Sequence, residues 1–275
     1  MHGRVLIVAG SDSGGGAGIQ ADIKTITALN GFAMTAITAL TAQNTIGVQD
    51  IYPVPAAFVA RQMASVFDDL GIDAVKTGML PSADIITAVC DVLDDRTVAA
   101  CVVDPVMVAS SGASLIKGDA VAAMKERLFP KATVLTPNIP EAEILTGARI
   151  TDVEDMVETA RQLRHDGAAA VLVKGGHLSG GRLTDVLATE NGIRLFEGER
   201  IESRATHGTG CSLASAIATG LAQGQPLEAA VERARRFVRL AIIHAIELGS
   251  GSSGPMNHAV TVTSAGECRA EPLKR

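Results

Sequence analysis

Apolar residues fall in short blocks along the chain, separated by longer stretches where apolar and polar positions recur at helical spacing. Continuous β-branched and aliphatic runs at 4–9, 34–40, 73–77, 100–104, 133–136 and 169–174 predict strands covered on both faces. Amphipathic stretches predict helices at 18–29, 56–69, 82–94, 119–129, 152–166, 210–223 and 227–248. The alternation predicts an α/β fold with a central, mainly parallel sheet and helices on both faces. Residues 183–189 and 193–196 break it. They flank Glu190-Asn191-Gly192 and predict a small β hairpin. The run Gly249-Ser250-Gly251-Ser252-Ser253-Gly254 reads as a flexible loop, and residues 255–275 as a partly flexible, solvated tail.

Composition narrows the function. With 275 residues, 47% of them hydrophobic, the chain can build one large core, and a single domain over 1–275 is expected. Six Phe, one Tyr and no Trp argue against a surface that stacks bases. A net charge of -6 supplies no basic field, so no nucleic-acid partner is expected and an anionic substrate needs a local positive site. Cys90, Cys101, Cys211 and Cys268 form no CxxC pair and read as reduced thiols of a cytoplasmic protein. The charge-free stretch 25–49 holds six Thr together with Asn30, Gly31, Gln43 and Asn44, too polar for a membrane helix. The apolar run at 5–9 is too short for a signal-peptide core.

Candidate chemistry gathers where strands end. The first strand runs into Gly10-Ser11-Asp12-Ser13-Gly14-Gly15-Gly16-Ala17-Gly18, which lacks the Lys-Ser/Thr of a Walker A loop and the third glycine of a dinucleotide fingerprint. It is either a tight strand-to-helix turn or a place where backbone at Gly10 and Gly18 meets a flat substrate. Thr206-His207-Gly208-Thr209-Gly210-Cys211 precedes a small-residue helix. It is either an ordinary helix start capped by Thr206 or Thr209, or an anion site made of unpaired amides. Asp104, Asn138, Glu141 and Lys174 fall at or just after strand ends, where parallel sheets bind ligands. Alone they read as a turn former, a helix-terminal pair and a solvated cation. Together they supply oxygen ligands for magnesium and a cation for phosphate, the needs of phosphoryl transfer.

The order of motifs carries a resemblance. Ala9-Gly10-Ser11-Asp12, 15–24, Thr41-Ala42-Gln43-Asn44-Thr45, Lys76-Thr77-Gly78-Met79-Leu80 and Asp104-Pro105-Val106-Met107 come first. Thr136-Pro137-Asn138-Ile139-Pro140-Glu141, Lys174-Gly175-Gly176-His177, His207-Gly208-Thr209-Gly210-Cys211 and Gly251-Ser252-Ser253-Gly254-Pro255 follow. This series resembles the hydroxymethylpyrimidine/phosphomethylpyrimidine kinases of thiamine biosynthesis, in the ribokinase-like superfamily, over about the first 255 residues. Ser13-Gly14 departs from the Pro-Ser of many members, which bears on the shape of that turn alone.

The resemblance implies ATP as phosphoryl donor, magnesium, a homodimer, and phosphorylation of a hydroxymethylpyrimidine and then of its monophosphate. It implies that Gln43 reads the aminopyrimidine edge, that Met79 and Val106 sandwich the ring, and that Gly10 and Asp22 also contact substrate. It implies that Lys174 neutralises phosphate, that the Gly208, Thr209 and Gly210 amides stabilise transferred charge, and that Asp104, Asn138 and Glu141 position magnesium through water. Cys211 stands where wider relatives carry Asp, and two roles stay open for it. Either its thiol accepts the hydroxyl proton, helped by the helix N-terminus, or it is a pocket wall. Pyridoxal kinase is the alternative within the superfamily, and a non-catalytic sensor the alternative outside catalysis.

Overall fold

The computed structural model describes residues 3–107, 118–178, 180–262 and 268–269. The sheet strands are β1 (Arg4–Asp12), β2 (Phe32–Gln43), β3 (Val48–Pro53), β4 (Ala74–Thr77), β5 (Ala100–Val103), β6 (Val134–Leu135), β7 (Val171–Val173), β8 (Arg182–Thr189) and β9 (Gly192–Glu199). They lie in the order β3-β2-β1-β4-β5-β6-β7-β8-β9. The strands from β2 through β7 run parallel, while β3, β8 and β9 pair antiparallel at the two ends. The helices are α1 (Gly18–Ala28), α2 (Ala56–Asp69), α3 (Ala83–Asp94), α4 (Gly118–Ala123), α5 (Ile139–Thr146), α6 (Val153–His165), α7 (Thr209–Ala222) and α8 (Leu227–Ile243). Strands β10 (Thr261–Val262) and β11 (Cys268–Arg269) form a separate antiparallel pair.

The sheet is buried on both faces, and the two-residue period of its strands divides the core. Leu6 and Val8 face Val59 and Met63 of α2 and the residues of α3 and α6, whereas Val5, Ile7 and Ala9 face α1, α7 and α8. This is the expected fold class, including the hairpin of β8 and β9.

Four features depart from the sequence pattern. Strand β3 lies at the sheet edge and buries neither face, with Tyr52 67% exposed, so no alternation marks it. Helix α5 is short and begins with Pro140 in its first turn. The expected helix at 119–129 changes winding at Met124 into a π turn, then a 3-10 turn carrying Pro130. Helix α8 stops at Ile243 rather than 248, because the returning chain takes its last carbonyls. The Asn257 amide donates to Ala241 O at 3.0 Å, and its side chain donates to His244 O at 3.1 Å.

That return also corrects the solvated tail. Met256, Asn257, His258 and Val260 are buried, and His258 Nε2 lies 2.9 Å from Ser212 Oγ on α7. Residues 263–267 and 270–275 lie outside the described residues.

A charged pair sits inside the helix–sheet interface. Lys76 Nζ of β4 is 3.0 Å from both Asp22 oxygens on α1, and Ser215 Oγ of α7 donates to Asp22 Oδ1 at 2.7 Å. Both side chains are fully buried. Burial alone would strip the proton from Lys76, but the charge of Asp22 outweighs it and holds the lysine above its ordinary pKa. Removing one partner leaves the other charge stranded. Asp22→Asn is expected to destabilise the fold by about 3–5 kcal/mol in urea unfolding, with most of it recovered in Asp22→Leu/Lys76→Met. A loss below about 1 kcal/mol for the single variant contradicts this account.

Candidate active site

A cleft of about 1080 Å³ opens along the carboxyl ends of β1, β4, β5 and β7. One end is walled by Gly10, Gln43, Met79 and Val106, and the other by Lys174, His177, Arg200, Arg235 and Arg239. The start of α7, from Gly208 to Cys211, also lines it.

The glycine-rich turn after β1 is held by one carboxylate. Asp12 accepts from the amides of Gly14 (2.8 Å), Gly16 (3.0 Å) and Ala17 (2.8 Å), and its Oδ2 lies 3.0 Å from His207 Nε2. Burial pushes its pKa up, but the bonds from His207, Ala17 and Gly14 outweigh it and leave the carboxyl below its ordinary value. The turn is thereby docked on the segment that starts α7. The approach leaves no room at Gly208, where a Cβ would lie 1.9 Å from Gly16 O and φ is +80°. Gly208 is the N-cap of α7, in place of the expected Thr206 or Thr209, and it offers no side chain to cap the helix. The Thr209 amide turns back to Thr206 O at 3.4 Å, and the start of α7 lines the cleft with the helix dipole behind it.

Lys174 meets this helix start. Its Nζ donates to Asp104 Oδ1 at 2.9 Å and lies 4.0 Å from Glu141 Oε2. A Cβ on Gly210 would lie 3.2 Å from that Nζ. Burial opposes the lysine charge, yet Asp104 and Glu141 together hold its pKa above the ordinary value. Asn138 and Glu141 form a capping box on α5. Asn138 Oδ1 accepts from the Glu141 amide, and Glu141 Oε2 accepts from the Asn138 amide, both at 2.8 Å. Burial pushes Glu141 up to about 7, with Asp104 adding to the rise and Lys174 opposing it.

Cys211 borders the cleft but is otherwise enclosed. Burial is the largest influence on its thiol and pushes it up to about 12. Lys76 and the Gly18 amide pull the other way, and Asp22 and Asp104 add to the rise. Desolvation thus outweighs the helix N-terminus, and the thiol is neutral near pH 7. Of the two roles left open for Cys211, burial favours the pocket wall.

The structure brings Gly10, Gln43, Met79, Val106, Asp104, Asn138, Glu141, Lys174, Gly208, Thr209, Gly210 and Cys211 to one cleft. Gly10 packs so tightly against Met79 that a Cβ would lie 2.4 Å from its Cε. Asp22 is the exception. It sits behind the cleft wall, closed in its pair with Lys76, and does not face a substrate. Two side chains were missed as site residues. Asp12 looks like a turn former until its partner His207 is placed beside it. Arg200 lies outside any predicted element, yet it donates to Gly176 O, Leu178 O and Gly180 O and shapes the loop after Lys174.

Magnesium fits the donor chemistry in a limited way. Among the described residues no three His, Cys, Asp or Glu converge to hold a metal. Asp104 Oδ1 serves Lys174, and Asn138 Oδ1 and Glu141 Oε2 serve the capping box. Such a set suits an ion held chiefly by phosphate and water rather than by a protein cage.

The solved structures give the class. An ADP complex of Bacillus subtilis pyridoxal kinase matches with TM-score 0.87 at 36% identity, covering 94% of this chain and 98% of that one. The architecture is that of the ribokinase-like small-molecule kinases. Within that class, the chain belongs to the phosphomethylpyrimidine kinase family, whose profile matches residues 12–257. It is 56% identical over 257 residues to the thiamine biosynthesis bifunctional protein ThiED of Geobacter sulfurreducens, covering 94% of this chain and 52% of that protein. It is 45% identical over 256 residues to the hydroxymethylpyrimidine/phosphomethylpyrimidine kinase of Bacillus subtilis, covering 93% and 94%. The chain therefore spans about half of the first relative and nearly all of the second.

The raised pKa of Glu141 carries a sign. A carboxyl lifted in the folded state contributes stability that is present below about 4.5, its ordinary value, and is lost as pH rises through about 7. Glu141→Gln keeps the cap acceptor and stays neutral. Between pH 5 and pH 8, wild type is expected to lose on the order of 1–3 kcal/mol relative to this variant in chemical unfolding. A pH-independent difference contradicts the lifted carboxyl.

Proposed function

We propose that the chain transfers the γ-phosphoryl group of ATP to the hydroxymethyl oxygen of 4-amino-5-hydroxymethyl-2-methylpyrimidine, and then a second phosphoryl group to the monophosphate. The observation that carries this reading is the meeting, in one cleft, of the Gln43–Met79–Val106 end with the Lys174–α7 end. The amide of Gln43 supplies donor and acceptor side by side, as an aminopyrimidine edge requires. Met79 and Val106 offer apolar surface to the ring. Relatives named for this activity are 45% identical along nearly the whole chain, against 36% for the pyridoxal kinase, and this favours the pyrimidine over the pyridine reading.

In this mechanism Lys174 neutralises the transferring phosphoryl group, and the Gly210 and Cys211 amides donate to the oxygens on which its charge develops. Magnesium, when bound beside Asp104 and Glu141, supplies further neutralisation of phosphate. Because phosphoryl transfer runs through a loose transition state, positioning and charge carry most of the rate, and a neutral Cys211 suffices as a wall. The free thiols Cys90, Cys101 and Cys211 support a reducing, cytoplasmic setting. Among the described residues no helix is long and apolar enough to cross a membrane. A homodimer through the β3 edge is supported by Leu40, Ile46, Tyr52 and Phe58, all more than a third exposed.

Release of ADP with formation of the pyrimidine monophosphate and then diphosphate is the expected outcome with ATP-magnesium. Product analysis finding neither phosphate ester at high enzyme would falsify the reading. Cys211→Ala is expected to keep kcat within about tenfold of wild type, well short of the 100- to 10,000-fold loss of a general base. Light scattering at micromolar concentration is expected to give a dimer mass, and a monomer mass removes that part of the proposal.

A further inference from the structure

Lys174 reaches the cleft just past the end of β7, and its place there is set by what holds the chain on either side of it. Its own amide donates to Pro137 O at 2.8 Å, and its ammonium to Asp104 Oδ1 at 2.9 Å. The next amide, that of Gly175, donates to Asp185 Oδ1 at 2.9 Å. Strands β7 and β8 pair as far as Val173 opposite Val186, so Lys174 is the next position opposite Asp185. The Asp185 side chain thus continues the pairing where the backbone ladder stops. Its other oxygen, Oδ2, accepts from Arg235 Nε of α8 at 2.7 Å. Asp185 is 5% exposed, so bulk water screens neither bond. Arg235 is seated in turn, with its guanidinium 5.7 Å from the centre of the Phe196 ring and its Nη1 donating to Glu197 O at 3.4 Å. The backbone leaves no slack at this point. A Cβ on Gly175 would lie 1.8 Å from Thr184 O, so the turn after Lys174 is pressed against β8 beside Asp185.

We propose that Asp185 is a positioning residue for phosphoryl transfer: braced by Arg235, it fixes the Gly175 amide and with it the direction in which Lys174 leaves β7 for the cleft. Without the carboxylate, the Gly175 amide would be buried with no acceptor, and the turn would have to shift to satisfy it. Such a shift leaves the lysine charge in the cleft but misaligns it with the transferring group. The proposal rests on the reading of Lys174 as the cation that neutralises that group.

The test is a double-mutant cycle on kcat with ATP-magnesium and the hydroxymethylpyrimidine, comparing wild type with Asp185→Ala, Lys174→Met and the two combined. Asp185→Ala is expected to lower kcat by roughly 10- to 100-fold, the scale of a catalytic group displaced by about 1 Å. The KM of the hydroxymethylpyrimidine should stay within about threefold, because the loss falls on the transfer step rather than on ring binding. In the Lys174→Met background the same substitution should change kcat by less than about twofold, since a residue that acts through Lys174 has nothing left to position. Equal losses in both backgrounds show a role in the fold alone and overturn the proposal, as does a kcat for Asp185→Ala within about twofold of wild type. Should Asp185→Ala fail to fold, Arg235→Met leaves the Gly175 bond in place and removes the brace. Its loss of kcat must then also vanish in the Lys174→Met background, and a loss that persists there overturns the proposal. If Lys174→Met itself keeps the wild-type kcat, the reading of Lys174 falls and the proposal with it. Equal losses beside an impaired Lys174→Met remove the positioning role alone.

Discussion

A single buried carboxylate ties the glycine-rich turn after β1 to the start of α7. Asp12 gathers the amides of the glycine-rich turn and pairs with His207, 195 positions away. The turn brings Gly10 against Met79, and the His207 segment brings Gly208 against Gly16. A Cβ at Gly208 would run into the Gly16 backbone, whereas one at Gly10 would displace only the end of the Met79 side chain. Without Asp12, three amides and an imidazole would compete for water, and the start of α7 would lose the surface that orients it.

The electrostatics of the cleft are decided by desolvation rather than by formal charge. Asp22 pairs with Lys76 behind the cleft wall, while Asp104 and Glu141 flank Lys174 at it. Pairing keeps Lys76 and Lys174 charged, whereas Glu141 and Cys211 rise towards their neutral forms. A helix N-terminus is worth up to about 2 kcal/mol to a nearby charge. Burial opposes a thiolate at Cys211 and outweighs that stabilisation.

Much of the fold was legible because both sheet faces are buried. The runs at 4–9 and 100–104 announce strands by their unbroken apolar stretches, Val5 to Ala9 and Ala100 to Val103. Strand β3 was not legible, because no residue of Val48–Pro53 is fully buried and the strand is placed by its pairing with β2. The site was legible in a different way. Lys174, Asp104 and the His207–Cys211 run stand at strand and helix ends, where chemistry is expected, while Gln43, Met79 and Val106 gain meaning only through the family resemblance. Asp22 stands in a recognisable motif too, yet its partner lies in the interior. The motif marks its importance without telling substrate from scaffold. Residues whose role depends on a distant partner, such as Asp12 or Asn257, leave no local signature.

The return of the chain at Asn257 and His258 has a consequence for synthesis. The nine strands of the sheet are complete once Glu199 has been made, but helix α7 is not yet secured. His207 pairs with Pro255, and Ser212 with His258. A nascent chain shorter than this can bury its first core face while its catalytic edge stays open. The sheet is therefore built before the segment that secures its cleft edge, and competence waits for residues 255–258.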